Sequence, residues 1–474
     1  MQQMNFVLLA PELALVALAI LLVVLDLVLT DKGKVVLPFV GVLGLVVPAG
    51  LVVALASRRE TSFFGTFVVD DLASFFKIIF LVAAALVMLA SVDYIRRRTQ
   101  YQGEYYATIL FSTLGMMFMA SGRELLTLYV ALELTSISLY IMAGFLKKDQ
   151  GSTEAGLKYL LLGALASTSL LYGIAIVYGA TGTTFLPDIA KRLTVGLPAV
   201  VAMVMIAAGF GFKVAAVPFH MWVPDVYQGA PTSTTAFVSV ASKAAGFVVV
   251  LRVFATALAP LAGLWPALFA VLAAVTMTVG NLGALRQTNV KRLMGYSSVG
   301  QAGYALMGLA AATAATSAGL IFFILAYALT NLGVFAAIIH VSDRLESDEL
   351  AAYEGLARRA PLLSLAMVLC LLSLVGLPPL AGFWSKVYLF LSVFGQGQVL
   401  LVIVALLNSA VAAYYYVKIV HSMYLKPAPI DKPLPGNLSL GVALAAATVG
   451  VVVIGLAPSP FMALATSAAG AVFP

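Results

Sequence analysis

Seven basic residues stand inside long apolar runs of this sequence: Lys77, Lys158, Lys213, Lys243, Arg252, Lys386 and Lys418. One carboxylate, Glu133, is central to such a run, in LLTLYVALELTSISLY. A charge at that depth costs about 2.5–3.5 kcal/mol on insertion scales, so a purely structural bundle is not expected to collect several. The chemistry they suit is proton transfer. Low-dielectric surroundings disfavour an ammonium and a neighbouring carboxylate favours it, so moving a partner charge makes a lysine take up or release a proton. A swing of about 3 pKa units is worth about 4 kcal/mol. Moving one charge against ~200 mV costs about 4.6 kcal/mol. Two or three coupled lysines could therefore carry one proton.

These residues do not all invite the same reading. Glu133, and Lys243 in AFVSVASKAAGFVVVL, lie too far from their span ends to reach an interface and are expected to face the bundle interior or a water-filled cavity. Lys77 and Lys418 lie within reach of a helix end and are expected to snorkel. Arg252, towards the outer end of its span, is expected to be structural. Lys158 follows Glu154 by four residues, so an ion pair on one helix face competes with a role in proton transfer.

Two proline breaks accompany the lysines. In GFGFKVAAVPFHMWVPD (209–225), Pro218 follows Lys213 and precedes His220. The proline lacks an amide donor and clashes with the preceding turn, which frees carbonyls at membrane depth that need water or polar partners. Imidazole titrates near neutrality, so His220 could pass protons between hydrated segments at the break. His340 and His421, near helix ends, are expected to be structural. In LLSLVGLPPLAGFWSKVYLF (371–390), Pro378 and Pro379 interrupt a second run and Lys386 follows within two turns. Broken spans that carry charge are a mark of transporters built from repeats.

The elements that must position these groups are membrane helices. The 474 residues are 62% hydrophobic and 10% charged, with mean hydropathy +1.06, a composition foreign to soluble domains. Apolar runs predict an all-α polytopic membrane protein of about fourteen spans. They lie near 4–29, 35–56, 72–93, 104–121, 123–146, 154–179, 197–220, 229–257, 263–284, 290–311, 317–341, 361–395, 399–424 and 437–457. The first is too long for a signal peptide and is expected to be retained. Loops after odd-numbered spans hold most of the Lys and Arg, including Arg96, Arg97, Arg98, Lys147, Lys148, Lys291 and Arg292. Loops after even-numbered spans hold Arg58, Arg59, Arg123, Lys191 and Arg192. This bias places the odd loops in the cytoplasm and both termini outside. It also accounts for the pI near 9.3, from which no nucleic-acid partner is inferred.

The breaks fall in spans seven and twelve. Lys213 precedes Pro218 by five residues, as Ser373 precedes Pro378, and an odd offset of five spans predicts two inverted repeats, spans 4–8 and 9–13. The chain is expected to be one membrane domain, 1–474, divided into 1–103 (three N-terminal spans), 104–258 (first repeat), 259–425 (second repeat) and 426–474 (last span and tail). The polar connection 342–359 is expected to be a solvated amphipathic stretch, and the final residues carry too weak a pattern to assign. One cysteine, Cys370, allows no disulfide within the chain and cannot alone ligate an iron–sulfur cluster. No phosphate-binding loop or dinucleotide fingerprint is present, since GFG at 209–211 lacks the strand–turn–helix context.

The stretches ALELTSISLYIMAGF, EAGLKYLLLGALASTSLLYG, FGFKVAAVPFHMWVPDVYQGAPTSTTAFVSVASKAAGF, RQTNVKRLMGYSSVGQAGY and GLPPLAGFWSKVYLF resemble the antiporter-like membrane subunits of respiratory complex I. The likeness runs over nearly the whole chain. It implies a proton-translocating, non-redox subunit of a bacterial NADH:quinone oxidoreductase, driven by quinone reduction elsewhere. The family's acidic helix residue matches Glu133, its following lysine Lys158, its two central lysines Lys213 and Lys243, its broken-helix histidine His220 and its last-channel lysine Lys386. No cofactor is expected in this chain; NADH, FMN, iron–sulfur clusters and quinone would belong to partner subunits. Implied partners are antiporter-like and small quinone-side membrane subunits, a peripheral redox arm and lipid, in the cell inner membrane. The expected path runs from the cytoplasm through Lys213, His220 and Lys243 to Lys386, with Glu133 setting the charge state of Lys213. Two other classes compete: a stand-alone or multisubunit cation/proton antiporter, which alone would transport in liposomes, and a structural scaffold, in which the buried lysines would be replaceable.

Overall fold

The computed structural model describes residues 4–428 and 432–473. Their helices are α1 Phe6–Val28, α2 Gly33–Leu55, α3 Asp71–Arg98, α4 Gln102–Ser121, α5 Leu125–Ala143, α6 Gln150–Thr181, α7 Leu197–Val214, α8 Trp222–Gly229, α9 Thr232–Ala257, α10 Trp265–Leu285, α11 Val290–Leu306, α12 Ala314–Leu345, α13 Pro361–Val375, α14 Ala381–Phe394, α15 Val399–Leu425, α16 Leu438–Leu456 and α17 Pro458–Gly470. Eleven are long and apolar enough to cross a membrane. The other expected spans coincide with α4, α11 and the pair α13 and α14, which are shorter or more polar. Helix is the form that satisfies every backbone group within one segment where no water is available. Polar caps set the boundaries: Asp70 accepts from the Ala73 amide at 2.8 Å, Asn289 from Arg292 at 3.1 Å and Thr313 from Thr316 at 3.2 Å. A two-residue hairpin, Thr61–Ser62 with Phe67–Val68, forms the sheet found among the described residues.

Burial orders the bundle. α9 is buried throughout and α12 nearly so, whereas two-thirds of α2 and α6 face outwards. Around α12 pack α3, α9, α13, α14, α16 and α17. The C-terminal tail, unassignable from its sequence, is thus a helix that closes the bundle against α12 and α3. Two polar hollows gather residues from the ends of the helices. One is lined by residues from the ends of expected spans 3, 5, 7, 9 and 11, among them Arg98, Asp149, Asp225, Arg292 and Asp348. The other is lined by residues from the loops after spans 2, 4, 6 and 8, among them Arg59, Asp70, Arg123 and Arg252.

Two expectations need correction. Lys77 does not snorkel. It is 3% exposed and pairs at 2.7 Å with Glu12, itself 1% exposed, with the Phe67 ring 4.8 Å from its Nζ. The sequence conceals this because Glu12 lies in the first turn of its helix, and only the packing of α1 turns it inwards. The connection 342–359 is not a freely solvated strap either. Asp343 pairs with Arg97 at 3.1 Å and Arg98 at 2.8 Å, Asp348 with Lys291 at 3.6 Å, and Tyr353 is fully buried. Arg252 is structural, as expected, held by both Asp70 oxygens at 2.8 and 3.0 Å and by the Ala120 carbonyl at 2.7 Å.

Removing one member of a buried pair strands the other charge, at a cost of about 3–5 kcal/mol. Lys77→Met should therefore lower the thermal midpoint of the detergent-purified protein well below that of the double variant Glu12→Gln/Lys77→Met. Equal midpoints would show that the pair does not matter to stability.

Candidate functional site

Both breaks close their helices in the same way. α7 ends on Ala215 in the left-handed region (φ 65°), and the Ala216 amide bonds to the Gly211 carbonyl at 2.8 Å. α13 ends on Gly376 (φ 95°), and the Leu377 amide bonds to Leu372 at 3.1 Å. This six-residue closure is the usual way a helix satisfies its last carbonyls around a left-handed residue. It aligns Ala215 with Gly376 and therefore Pro218 with Pro379, one residue later than the spacing of Lys213 and Ser373 suggested. Lys213 then corresponds to Leu374, so the two breaks share a backbone and not a lysine position.

The freed carbonyls find the partners they need. At the second break Lys386 Nζ, on α14, donates to the Val375 carbonyl at 2.7 Å and to Ser409 Oγ at 2.7 Å, and lies 5.0 Å from the Tyr304 ring centre. Gln301 donates to the Leu374 carbonyl at 3.3 Å. At the first break the Trp222 indole donates to the Phe212 carbonyl at 3.1 Å.

Lys213 and Glu133 do not touch directly. Lys213 Nζ donates to Ser136 Oγ at 2.9 Å, and Ser136 lies one helical turn after Glu133. Glu133 in turn accepts from the Ser167 hydroxyl on α6. Glu133 therefore forms no direct ion pair with Lys213: Ser136 accepts from the ammonium and donates its own hydroxyl to the Leu132 carbonyl at 2.7 Å. Gly246 makes the arrangement possible: a Cβ there would meet Lys213 Cγ at 3.4 Å and Val214 Cγ1 at 2.8 Å. The Lys213 stem therefore lies against α9 one turn beyond Lys243. A π-helical turn, Val238–Ser242, immediately precedes Lys243, a distortion often met at functional positions. Lys243 Nζ donates to the Ser298 carbonyl at 2.5 Å and its hydroxyl at 2.7 Å, and Ser298 Oγ donates to Tyr227 at 3.2 Å.

From Ser298 a polar line runs along α11 towards Lys386. Neighbouring Ser297 shares a hydrogen bond with Tyr416 at 2.5 Å, and Gln301 donates to the same phenol oxygen at 3.2 Å and to Leu374. A cavity of about 10 Å³, room for about one water, lies between Gln301, Thr330, Ser373 and Lys386. Lys213, Lys243 and Lys386 are all at most 7% exposed, and among the described residues each donates only to neutral oxygens. The structural cations Lys77, Arg98 and Arg252 instead bond carboxylates.

Lys158 and His220 stand apart from this line. Lys158 keeps the expected pair with Glu154 at 2.7 Å and adds Asp225 at 2.7 Å; Asp225 also binds Arg292 at 2.6 Å. The cluster lines a polar hollow of about 670 Å³ at the mouth of the chain. His220 makes no hydrogen bond to Lys213 or Lys243. It is half-buried beside exposed Pro218 and Met221, and its Nδ1 has no partner among the described residues. Sequence reasoning missed Ser136, Ser167, Tyr227, Ser297, Ser298, Gln301, Ser409 and Tyr416. Hydroxyl residues are common in packed membrane helices, so nothing in one sequence sets these apart.

Asp225 yields a test by pH. Partial burial raises its carboxyl, but the hydrogen bonds and charges of Lys158 and Arg292 outweigh this and hold it below the usual range. Its contribution to stability is therefore full above the unfolded value of about 3.9 and is lost as pH falls through the folded one. The difference in thermal midpoint between the parent and Asp225→Asn should persist unchanged from pH 7 to 5 and shrink only below about pH 4. A difference that fades between pH 7 and 5 would show that the cluster does not hold the carboxylate.

The family model described as NADH:quinone oxidoreductase/Mrp antiporter, TM, matches residues 122–412, a stretch that includes all six candidate residues. The chain is 42% identical to the NADH-quinone oxidoreductase subunit N of Heliobacterium modesticaldum, over 99% of this chain and 100% of that one. It is 40% identical to NAD(P)H-quinone oxidoreductase subunit 2 of Synechocystis sp., over 98% and 93%. A chain of respiratory complex I from Thermus thermophilus superposes with a TM-score of 0.82 at 34% identity, covering 96% of this chain and 99% of that one. Broken helices, buried lysines and full-length similarity agree, and the chain belongs to the NADH:quinone oxidoreductase/Mrp antiporter family of membrane subunits.

Proposed function

We propose that this chain is a proton-translocating membrane subunit of an NADH:quinone oxidoreductase. The observation that carries the reading is the row Lys213, Lys243 and Lys386, buried at membrane depth and held only by neutral oxygens. An ammonium bonded to a serine or a carbonyl can give up its proton without stranding a buried carboxylate, whereas one locked to a carboxylate cannot do so cheaply. Identity of about 40% to subunits named for quinone oxidoreductases supports membership of that complex over a free-standing antiporter.

In this reading protons enter at the hollow of Lys158, Asp225 and Arg292 and reach Lys243 by way of Tyr227 and Ser298. They continue by Ser297, Tyr416 and Gln301 to Lys386, which releases them outwards. Glu133 biases the charge of Lys213 through Ser136, and Lys213 lies close enough to Lys243 to pass that bias on. His220 acts at the edge of the path as a relay or as a contact to a neighbouring subunit. Energy comes from outside the chain: it has no redox site, and NADH, FMN, iron–sulfur clusters and quinone belong to partner subunits of the membrane and peripheral arms. The chain is a single membrane domain with fourteen spans and both termini on the outer face of the bacterial inner membrane. The matching helix closures before Pro218 and Pro379 support inverted repeats over 104–258 and 259–425, flanked by 1–103 and 426–474.

The assembled complex provides the tests. Glu133→Ala and Lys213→Ala should each sharply lower proton pumping and quinone reduction without loss of assembly, and the double variant should lose less than the sum. Additive losses would separate the two residues. Lys386→Arg keeps a positive charge that cannot be given up at working pH, so it should stop pumping about as completely as Lys386→Ala. Tyr416→Phe removes the hydroxyl that joins Ser297 to Gln301 and should slow pumping while leaving the lysines in place. Normal pumping by the arginine variant would make Lys386 a fixed charge and remove it from the path.

A further inference from the structure

Away from the lysines, a groove of about 570 Å³ opens on the outer surface between α13 and α16. Its walls are apolar, formed by Leu362, Leu365 and Leu369 on one side and by Leu440, Leu444 and Val449 on the other, with His340 of α12 in the floor. Leu362 is 81% exposed and Val449 59%. One end differs in character. Arg359 lines the groove there beside exposed Arg358, at the end where Arg98 and Lys158 also lie. The Arg359 side chain is 8% exposed, yet among the described residues it makes a single bond, from Nε to the Lys432 carbonyl at 3.2 Å. Arg359 lines the groove, and no carboxylate is among the described residues that line it.

We propose that this groove binds an anionic phospholipid, with an acyl chain between α13 and α16 and its phosphate on Arg359 and Arg358. Depth supports a lipid. From Asn437 to Val449 the groove follows α16 for twelve residues, about 18 Å at 1.5 Å per residue. That is about one leaflet of a hydrocarbon core ~30 Å thick. A membrane helix of a partner would need a groove crossing both leaflets, and this one stops at Thr448 and Val449. Charge selects the headgroup. A guanidinium presents paired donors to phosphate oxygens, and a net negative lipid is favoured beside two arginines where no carboxylate is among the described lining residues. A neutral apolar molecule would leave those donors unmatched.

The test uses the assembled complex reconstituted in vesicles carrying a trace of photoactivatable phosphatidylglycerol or, in a parallel arm, photoactivatable phosphatidylcholine. After irradiation, cross-linked peptides are mapped by mass spectrometry, with NADH-linked quinone reduction recorded as the check on assembly. Phosphatidylglycerol should label peptides covering 362–369 and 440–449 about tenfold more than phosphatidylcholine, whose choline ammonium is repelled by the arginines that hold the phosphate. Arg358→Gln/Arg359→Gln should abolish the preference, and Ala366→Trp, which fills the groove and leaves the arginines, should abolish labelling by both lipids. The proposal is overturned by equal labelling in the parent complex, by a preference that survives loss of both arginines, or by the absence of label from these peptides, which would mean that a partner helix covers them. Labelling that Ala366→Trp leaves unchanged would also overturn it, and this arm decides the matter if the arginine variant fails to assemble.

Discussion

Hydrogen-bond donors and acceptors at membrane depth must find each other, because no water is present to make up a shortfall. In this molecule the need falls on two scarce groups, carbonyls released by broken helices and ammonium groups on buried lysines. At the second break each answers the other: the Val375 carbonyl left open by the end of α13 accepts from Lys386 at 2.7 Å. A continuous helix there would leave Lys386 without its backbone acceptor, and an apolar residue in its place would leave the break unsatisfied. Gln301 bonds the preceding carbonyl and carries the same solution back towards Lys243.

Partner chemistry divides the buried and half-buried cations into two kinds. Lys77, Arg98 and Arg252 bond carboxylates and fasten α1 to α3, α3 to α12, and α9 to the start of α3. These pairs offset the cost of removing two charges from water only while both members stay charged. Lys213, Lys243 and Lys386 rest on serines and carbonyls, partners that suit either protonation state. Glu133, half-buried one helical turn before Ser136, bonds Ser167 and makes no direct contact with Lys213. The fold thus pairs some cations with carboxylates and sets Lys213, Lys243 and Lys386 on neutral partners.

Packing decides where that row can lie. α12 touches both halves of the bundle, and its Asn331 and Tyr327 satisfy Ser239 in the π-turn before Lys243, at 2.7 Å to the hydroxyl and 3.2 Å to the carbonyl. Gly246 lets α7 come close enough for two lysines from different helices to lie together. Gly376 has the same use at the other end: its φ of 95° turns the chain, and a Cβ would meet Lys386 Cδ at 2.9 Å.

Apolar run length and loop charge made the spans, the breaks and the alternation of loops legible in the sequence, because membrane insertion depends on summed hydropathy and flanking charge and hardly on tertiary contacts. The cost of burying charge singles out Lys213, Lys243 and Lys386 in the sequence, and all three are buried, whereas Glu133 is half-buried. What hydropathy could not reveal was the partner of each charge. Lys77 reads as a snorkelling residue because the sequence does not show that α1 turns Glu12 inwards, and the bond of Lys213 to Ser136 in place of Glu133 is equally invisible there. The serines, tyrosines and Gln301 that bond around the lysines carry no signal of their own, since a hydroxyl on a membrane helix is equally at home bonding its own backbone. Their role exists only once helices distant in sequence are brought side by side, and that was decided by packing in three dimensions.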